Sequence, residues 1–232
     1  PAYSLLDPET KRVKHAVSLL TPGLVYAEDA AAFDRVVTQA VPRQTELVAL
    51  TGQFSSRRHT RYESLFGEAG VTVRRAHQAV TPDTIAKFLF TSGSTRMPKA
   101  VINTHRMLSC NQRMYAQCYP FLEAEPPVLV DWLPWHHTAG GNANMGTVLA
   151  NGGTLYIDAG KPTPAGMAQT VANLRDIAPT VYYTVPKGLD MLVEEMRPDA
   201  RLRERFFSRL RLIFPAGAGL PRPVQDAVDE MS

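Results

Sequence analysis

A chain of 232 residues, 44% apolar and 20% charged, can bury a core of its own and is neither fibrous nor disordered in composition. Its net charge of +3 comes from scattered basic residues, with Arg201, Arg203 and Arg205 interleaved with Glu204 as on a solvated helix face, which argues against a nucleic-acid partner. No apolar run approaches bilayer length, no leader pattern opens the chain, and Cys110 and Cys118 lack CxxC spacing or nearby histidines; this speaks against membrane, secretion, disulfide framework and zinc, and favours a reduced cytoplasmic setting.

The predicted elements alternate strand and helix. "GLVYA" and "ELVAL" read as buried strands. Between them, Ala31, Phe33, Val36, Val37 and Ala40 recur at helical intervals behind an Asp29 N-cap. Residues 54–77 are polar and Arg-rich and are expected at the surface, with a short helix over 62–66. "KFLFTSG" and "KAVINTH" are apolar and β-prone around turn-forming residues, which predicts a hairpin. Thr104 then caps a helix running to Tyr119, on which Met107, Met114, Tyr115 and Cys118 share a face, the methionines being expected as core, and Pro120 ends it. "PVLVDWLP", "GTLYID" and "PTVYYTVP" are further buried strands, with helices over 163–176 and 188–196, and "LRLIFPAG" is a last strand before a helix near Pro221. Such alternation predicts an α/β fold with a mostly parallel sheet flanked by helices.

The hairpin tip, "FTSGSTRMPKAV" from Phe90 to Val101, carries the chemistry. Backbone N–H groups in a turn of small residues can converge on an anion, and hydroxyls add donors without blocking its approach. Lys99 supplies a point charge. The pattern GxxxxGK[ST] fails in register, because Pro98 stands where the second glycine would be and Ala100 where the metal-binding hydroxyl would be, so a P-loop NTPase is disfavoured. Taken alone, "TSGS" is more simply read as a plain turn.

The longer stretch "TSGSTRMPKAV" resembles the phosphate loop TSGSTGxPKGV of the adenylate-forming acyl-CoA synthetase superfamily. Two more segments agree in order: "LPWHHTAGG" resembles its LPxxHxxG segment through Pro134, His137 and Gly140, and "LRLIFPAGAGLP" resembles the strand and turn that approach adenine. Within the superfamily, "AVINTHRML" and "DWLPWHHTAGGNANMG" look most like feruloyl-CoA synthetases.

The resemblance implies an ATP-dependent acid–CoA ligase that adenylates a small-molecule carboxylic acid of the feruloyl type and passes the acyl group to coenzyme A, with Mg2+ accompanying ATP. It implies phosphate contacts from Thr91, Ser92, Ser94 and Thr95, close backbone approach at Gly93, and charge from Lys99. It also implies adenine contacts at Gly217, Ala218 and Gly219, with His137 beside the acyl carboxylate. Arg96 replaces a family glycine, which either strains the loop or adds a cation to it. Trp132 and Trp135 are either packing or the wall of an aromatic pocket, and Asn142 and Asn144 either line a channel or form a turn. The chain starts at Pro1 and stops before the family's downstream adenine and metal segments and its C-terminal lid. The expectation is therefore a partial N-terminal domain over 1–232 that is inactive by itself, with oligomeric state not legible. A degenerate, noncatalytic module of the same fold is the alternative; an unrelated kinase or hydrolase lacks its acidic metal ligands.

Overall fold

In the computed structural model, which describes residues 10–91 and 97–232, the chain falls into two units, Pro1–His105 and Arg106–Ser232. The first opens with α1 (Lys11–Leu20), β1 (Leu24–Asp29), α2 (Ala30–Ala40), β2 (Glu46–Thr51) and the two-residue β3 (Thr60–Arg61). These strands run parallel in the order β1-β2-β3, with Leu24 opposite Glu46 and Asp29 opposite Thr51. The Asp29 carboxylate accepts from the N–H groups of Ala31 and Ala32, satisfying two donors that an uncapped helix start leaves exposed. Val37 on α2 meets Ala27, Leu47 and Ala49 of the strands in one small core.

Phe54 belongs to that core, at 7% exposure, although it opens a stretch expected at the surface. Three residues on, the Arg57 guanidinium donates to the carbonyls of Val41, Arg43 and Thr45, tying this segment to the α2–β2 connection, and the Phe54 ring meets His59 edge-on. From Arg61 onward that stretch is exposed: a 3-10 turn at Tyr62–Leu65 and a helix not foreseen, α3 (Val71–Gln78). Then come β4 (Ile85–Phe90) and β5 (Ala100–Thr104), an antiparallel hairpin with Phe90 opposite Ala100.

The second unit holds α4 (His105–Cys118, starting at the boundary residue), α5 (Phe121–Ala124), β6 (Val128–Asp131), a π-helix (Ala139–Asn144) and α6 (Met145–Ala150). It continues with β7 (Thr154–Ile157), α7 (Pro164–Asp176), β8 (Val181–Thr184), α8 (Pro186–Met196), α9 (Ala200–Phe207), β9 (Leu212–Pro215) and α10 (Arg222–Met231). β6 pairs with β7 and β8 with β9, both in parallel. Thr180 joins the pairs at their amino ends: its N–H donates to Val128 O at 2.9 Å and its Oγ1 accepts from Val128 N at 2.8 Å.

Side chains alternate across a strand, so a parallel sheet buried on both faces needs apolar residues at consecutive positions. β8 satisfies this: Tyr182 packs with Met167, Leu189, Leu192, Met196 and Phe206 on one side, and Val181 and Tyr183 with Leu122, Leu129 and Leu133 on the other. The Tyr182 and Phe206 rings meet edge to face at 5.2 Å, a geometry worth about 1 kcal/mol beyond area burial. Caps fix the helices around this core. Thr163 accepts from Gly166 N ahead of Pro164 at the start of α7, and Asp199 accepts from Leu202 N while its other oxygen binds Arg175.

The expectation that the methionines of α4 are core is corrected: Met107 and Met114 are 56% and 61% exposed, and Cys110 and Cys118 are exposed free thiols. The inward stripe is instead Gln112 and Ala116, one turn apart, which lets a polar side chain reach the π-helix. No helix among the described residues is long and apolar enough to cross a membrane.

Candidate active site

The expected residues fall in both units. In the first, β4 and β5 converge on Thr91 and Lys99, which close the base of the tip reciprocally. Thr91 N–H donates to Lys99 O at 3.0 Å, and Lys99 N–H donates to Thr91 Oγ1 at 3.0 Å. A hydroxyl that accepts still has its own proton to give. Lys99 is exposed, whereas Pro98 between it and Met97 is buried, its carbonyl accepting from His15 Nε2 of α1 at 2.9 Å. Ser92, Gly93, Ser94 and Thr95, together with Arg96, lie outside the described residues.

In the second unit the remaining expected residues follow the carboxyl ends of parallel strands, where open α/β sheets place their ligands. Past Asp131 the chain turns through residues 132–138 into the π-helix. His137 N–H donates to Pro134 O at 3.0 Å, and Gly141 N–H to His137 O at 2.9 Å. The turn depends on two glycines lying against its carbonyls. A Cβ at Gly140 would sit 2.5 Å from Leu133 O, and one at Gly141 would collide with the Trp135 carbonyl. Gln112 supports the π-helix from α4, donating to Asn142 O at 3.0 Å.

The exposed His137 ring is oriented by its own loop, since Ala139 N–H donates to Nδ1 at 3.2 Å. A backbone N–H can only donate, so Nδ1 is the acceptor, and the neutral imidazole carries its proton on Nε2. His137 is thereby a donor with a defined tautomer.

Beneath this loop lies a buried carboxylate that the sequence reading passed over. Asp131 Oδ1 accepts from Leu133 N at 3.1 Å and from Asn144 Nδ2 at 2.8 Å, while Oδ2 is buried without a partner. Burial pushes its carboxyl up to about 6, against the pull of those two donors and with Asp158 nearby adding to the rise. Asp158, following β7, accepts from Gly160 N, Asn173 Nδ2 and the Thr170 hydroxyl. The available signal was an aspartate closing each of two apolar strand runs, "PVLVD" and "GTLYID". Asn144, read as channel or turn, is fully buried on Asp131 and lines no channel. Trp132 is packing: a Cβ at Gly188 would lie 2.9 Å from its ring. Trp135, two residues before His137, is 45% exposed.

After β9, Ala216 N–H still pairs with Thr184 O at 3.0 Å, and the chain then turns through Gly217, Ala218 and Gly219, all exposed. Gly217 has φ +94°, with nothing within 4 Å of where its Cβ would be. The glycine therefore serves backbone conformation, and the turn presents a bare surface.

Comparison with known proteins agrees with this architecture. The chain belongs to the AMP-binding enzyme family, whose model matches residues 3–231. It is 26% identical over 192 residues to the acyl-CoA ligase SID4 of Ajellomyces capsulatus, covering 81% of this chain and 31% of that ligase. To the 3-hydroxybenzoate–CoA ligase of Aromatoleum sp. (strain CIB) it is 28% identical, covering 55% of this chain and 23% of the relative. Among solved structures, a benzoate CoA ligase from Burkholderia xenovorans LB400 superposes with a TM-score of 0.72 at 22% identity, over 99% of this chain and 42% of that one. ATP-bound MatB from Rhodopseudomonas palustris gives 0.67 at 18% identity, over 99% and 41%. The chain thus spans about a third of the curated ligase SID4, and it has the α/β fold of these enzymes, with mostly parallel strands flanked by helices and a hairpin.

Proposed function

We propose that this chain is the nucleotide- and acid-binding part of an AMP-forming acid–CoA ligase. A substrate carboxylate oxygen attacks the α-phosphorus of Mg·ATP, pyrophosphate leaves, and the acyl-adenylate is then taken by the thiol of coenzyme A with release of AMP. No protein nucleophile is needed; the protein aligns oxygens and offsets phosphate charge. Thr91, Ser92, Ser94 and Thr95 donate to the β- and γ-phosphates, Gly93 allows the backbone close, and Lys99 contributes its ammonium. Gly217, Ala218 and Gly219 form the flat turn against which adenine rests. Mg2+ enters with ATP as part of that substrate; among the described residues no cluster of three or more His, Cys, Asp or Glu could hold a metal ion.

The observation that carries the reading is the hydrogen bond from Ala139 N–H to His137 Nδ1. A ring whose Nδ1 is engaged by Ala139 offers an Nε2–H donor from an exposed loop at the carboxyl end of β6, suited to hold a carboxylate oxygen. An aromatic acid of the feruloyl type is the substrate we favour. It is supported by the exposed Trp135 face near His137 and by the benzoate and 3-hydroxybenzoate ligases among the relatives. By itself the 232-residue chain is proposed to bind nucleotide weakly and to form no adenylate.

Carboxylate-dependent exchange of labelled pyrophosphate into ATP tests this, run on the chain and on the whole protein with hydroxycinnamic, benzoic, malonic and fatty acids. Exchange by the whole protein that is greatest with a hydroxycinnamic acid supports the reading, and ADP formation in place of AMP overturns it. The second reading, a noncatalytic module, rests on Arg96 in the phosphate loop. No exchange until Arg96→Gly is introduced would favour it.

A further inference from the structure

The expected site residues leave one group near His137 without a role. Asp131 is the last residue of β6 and Asn144 the last of the π-helix, and between them lie the turn, His137 and Gly140–Gly141. Both ends of this segment are held by a single oxygen. Asp131 Oδ1 takes Leu133 N–H, which starts the turn, and Asn144 Nδ2, which finishes the π-helix. Asp131 and Asn144 are 3% and 0% exposed, so these bonds are shielded from competing water and their loss leaves buried groups unsatisfied. Asp158 has its own closed set of partners on Gly160, Thr170 and Asn173, none within the His137 segment.

We infer that Asp131 is a positioning residue for His137: by accepting from Leu133 N–H and Asn144 Nδ2 through one oxygen, it closes residues 132–144 into a loop and fixes the imidazole as an Nε2–H donor. The inference rests on the proposal that His137 meets the acid's carboxylate. Ala139 N–H reaches Nδ1 only while the turn and the start of the π-helix keep their spacing, and that spacing is what the Asp131–Asn144 bond holds. What matters is the acceptor oxygen at Oδ1, which an asparagine at position 131 also provides.

The test is long-range 1H–15N correlation of the His137 ring, together with hydrogen exchange of the Ala139 amide. Both are measured on the 232-residue chain, with the ring assigned by its absence from His137→Gln. Asp131→Ala is expected to speed Ala139 exchange by about tenfold or more and to mix the tautomers. Asp131→Asn is expected to keep both as in the parent, and Asp158→Asn to leave them unchanged. If Asp131→Ala folds and His137 keeps its tautomer and Ala139 its protection, the inference is overturned; it is equally overturned if Asp131→Asn disturbs them as much as Asp131→Ala. Should Asp131→Ala fail to fold, Asn144→Ala decides: a mixed tautomer supports the clamp, and an undisturbed ring rejects it. Failure of the underlying proposal reads differently, as a parent His137 ring that does not shift when ferulate and Mg·ATP are added to the whole protein.

Discussion

Thr91 and Lys99 exchange two hydrogen bonds, the threonine N–H to the lysine carbonyl and the lysine N–H to the threonine hydroxyl, each at 3.0 Å. The side chain that would donate to a phosphate is therefore the one that closes the loop carrying the remaining donors. Thr91→Val removes both roles and is expected to weaken ATP binding about tenfold or more, while Thr91→Ser stays within about twofold of the parent. Titration calorimetry with ATP on the whole protein decides it, and equal affinities for the valine and serine variants would remove Thr91 from the site.

His137 is exposed, so replacing it should cost little stability. His137→Ala is expected to raise KM for the carboxylic acid by about 10- to 100-fold with KM for ATP nearly unchanged, the loss of one hydrogen bond to a charged group. A variant whose ATP term rises and whose acid term does not would place the imidazole elsewhere in the reaction.

The raised carboxyl of Asp131 makes folding pH-dependent in an unusual direction. Its folded value of about 6 lies above the ordinary 3.8, so the folded chain holds a proton that the unfolded chain has released. The associated stability is fully present below pH 3.8 and is lost as pH rises to about 6, by roughly 3 kcal/mol at most. Asp34, held low by Ser55, and Asp199, held low by Leu202 N–H and Arg175, act oppositely, losing stability only as pH falls below the ordinary value. Urea midpoints from pH 4 to 7 should fall in the parent and flatten in Asp131→Asn, and identical slopes would show that Asp131 does not titrate there.

Gly217 and Gly219 sit in the same turn, both with open space where a side chain would go, but only Gly217 has a positive φ. Gly217→Ala is expected to cost about 1 kcal/mol and Gly219→Ala almost nothing. Denaturation midpoints that move equally would mean that backbone conformation is not what requires glycine at 217.

Most of the parallel strands were legible as apolar runs, and Asp29 marks the start of α2 by local chemistry; the two-residue β3 has no apolar residue to show it, α1 was not expected, and "GTLYID", read as a buried strand, leaves Tyr156 and Ile157 exposed. The methionines of α4 misled because helical spacing shows which residues share a face but not which face turns inward, and the inward one is completed by Gln112 reaching Asn142, thirty residues away. The tether from Arg57 to the α2–β2 connection is hidden for the same reason, as its acceptors are backbone carbonyls, which leave no mark in a sequence. Of the site, the turn residues were readable as motifs. The Asp131–Asn144 bond was not, since it joins positions thirteen apart across a turn and a π-helix that no sequence pattern announces.

The bond from His15 to the carbonyl of Pro98 spans 83 positions of sequence and ends beside the lysine of the loop. Fraying of the first helix therefore removes one of the contacts that hold this limb, beside the two bonds between Thr91 and Lys99. If the tip holds phosphate as proposed, amide exchange around His15 should slow when ATP is added, so that a helix outside the loop reports on its occupancy.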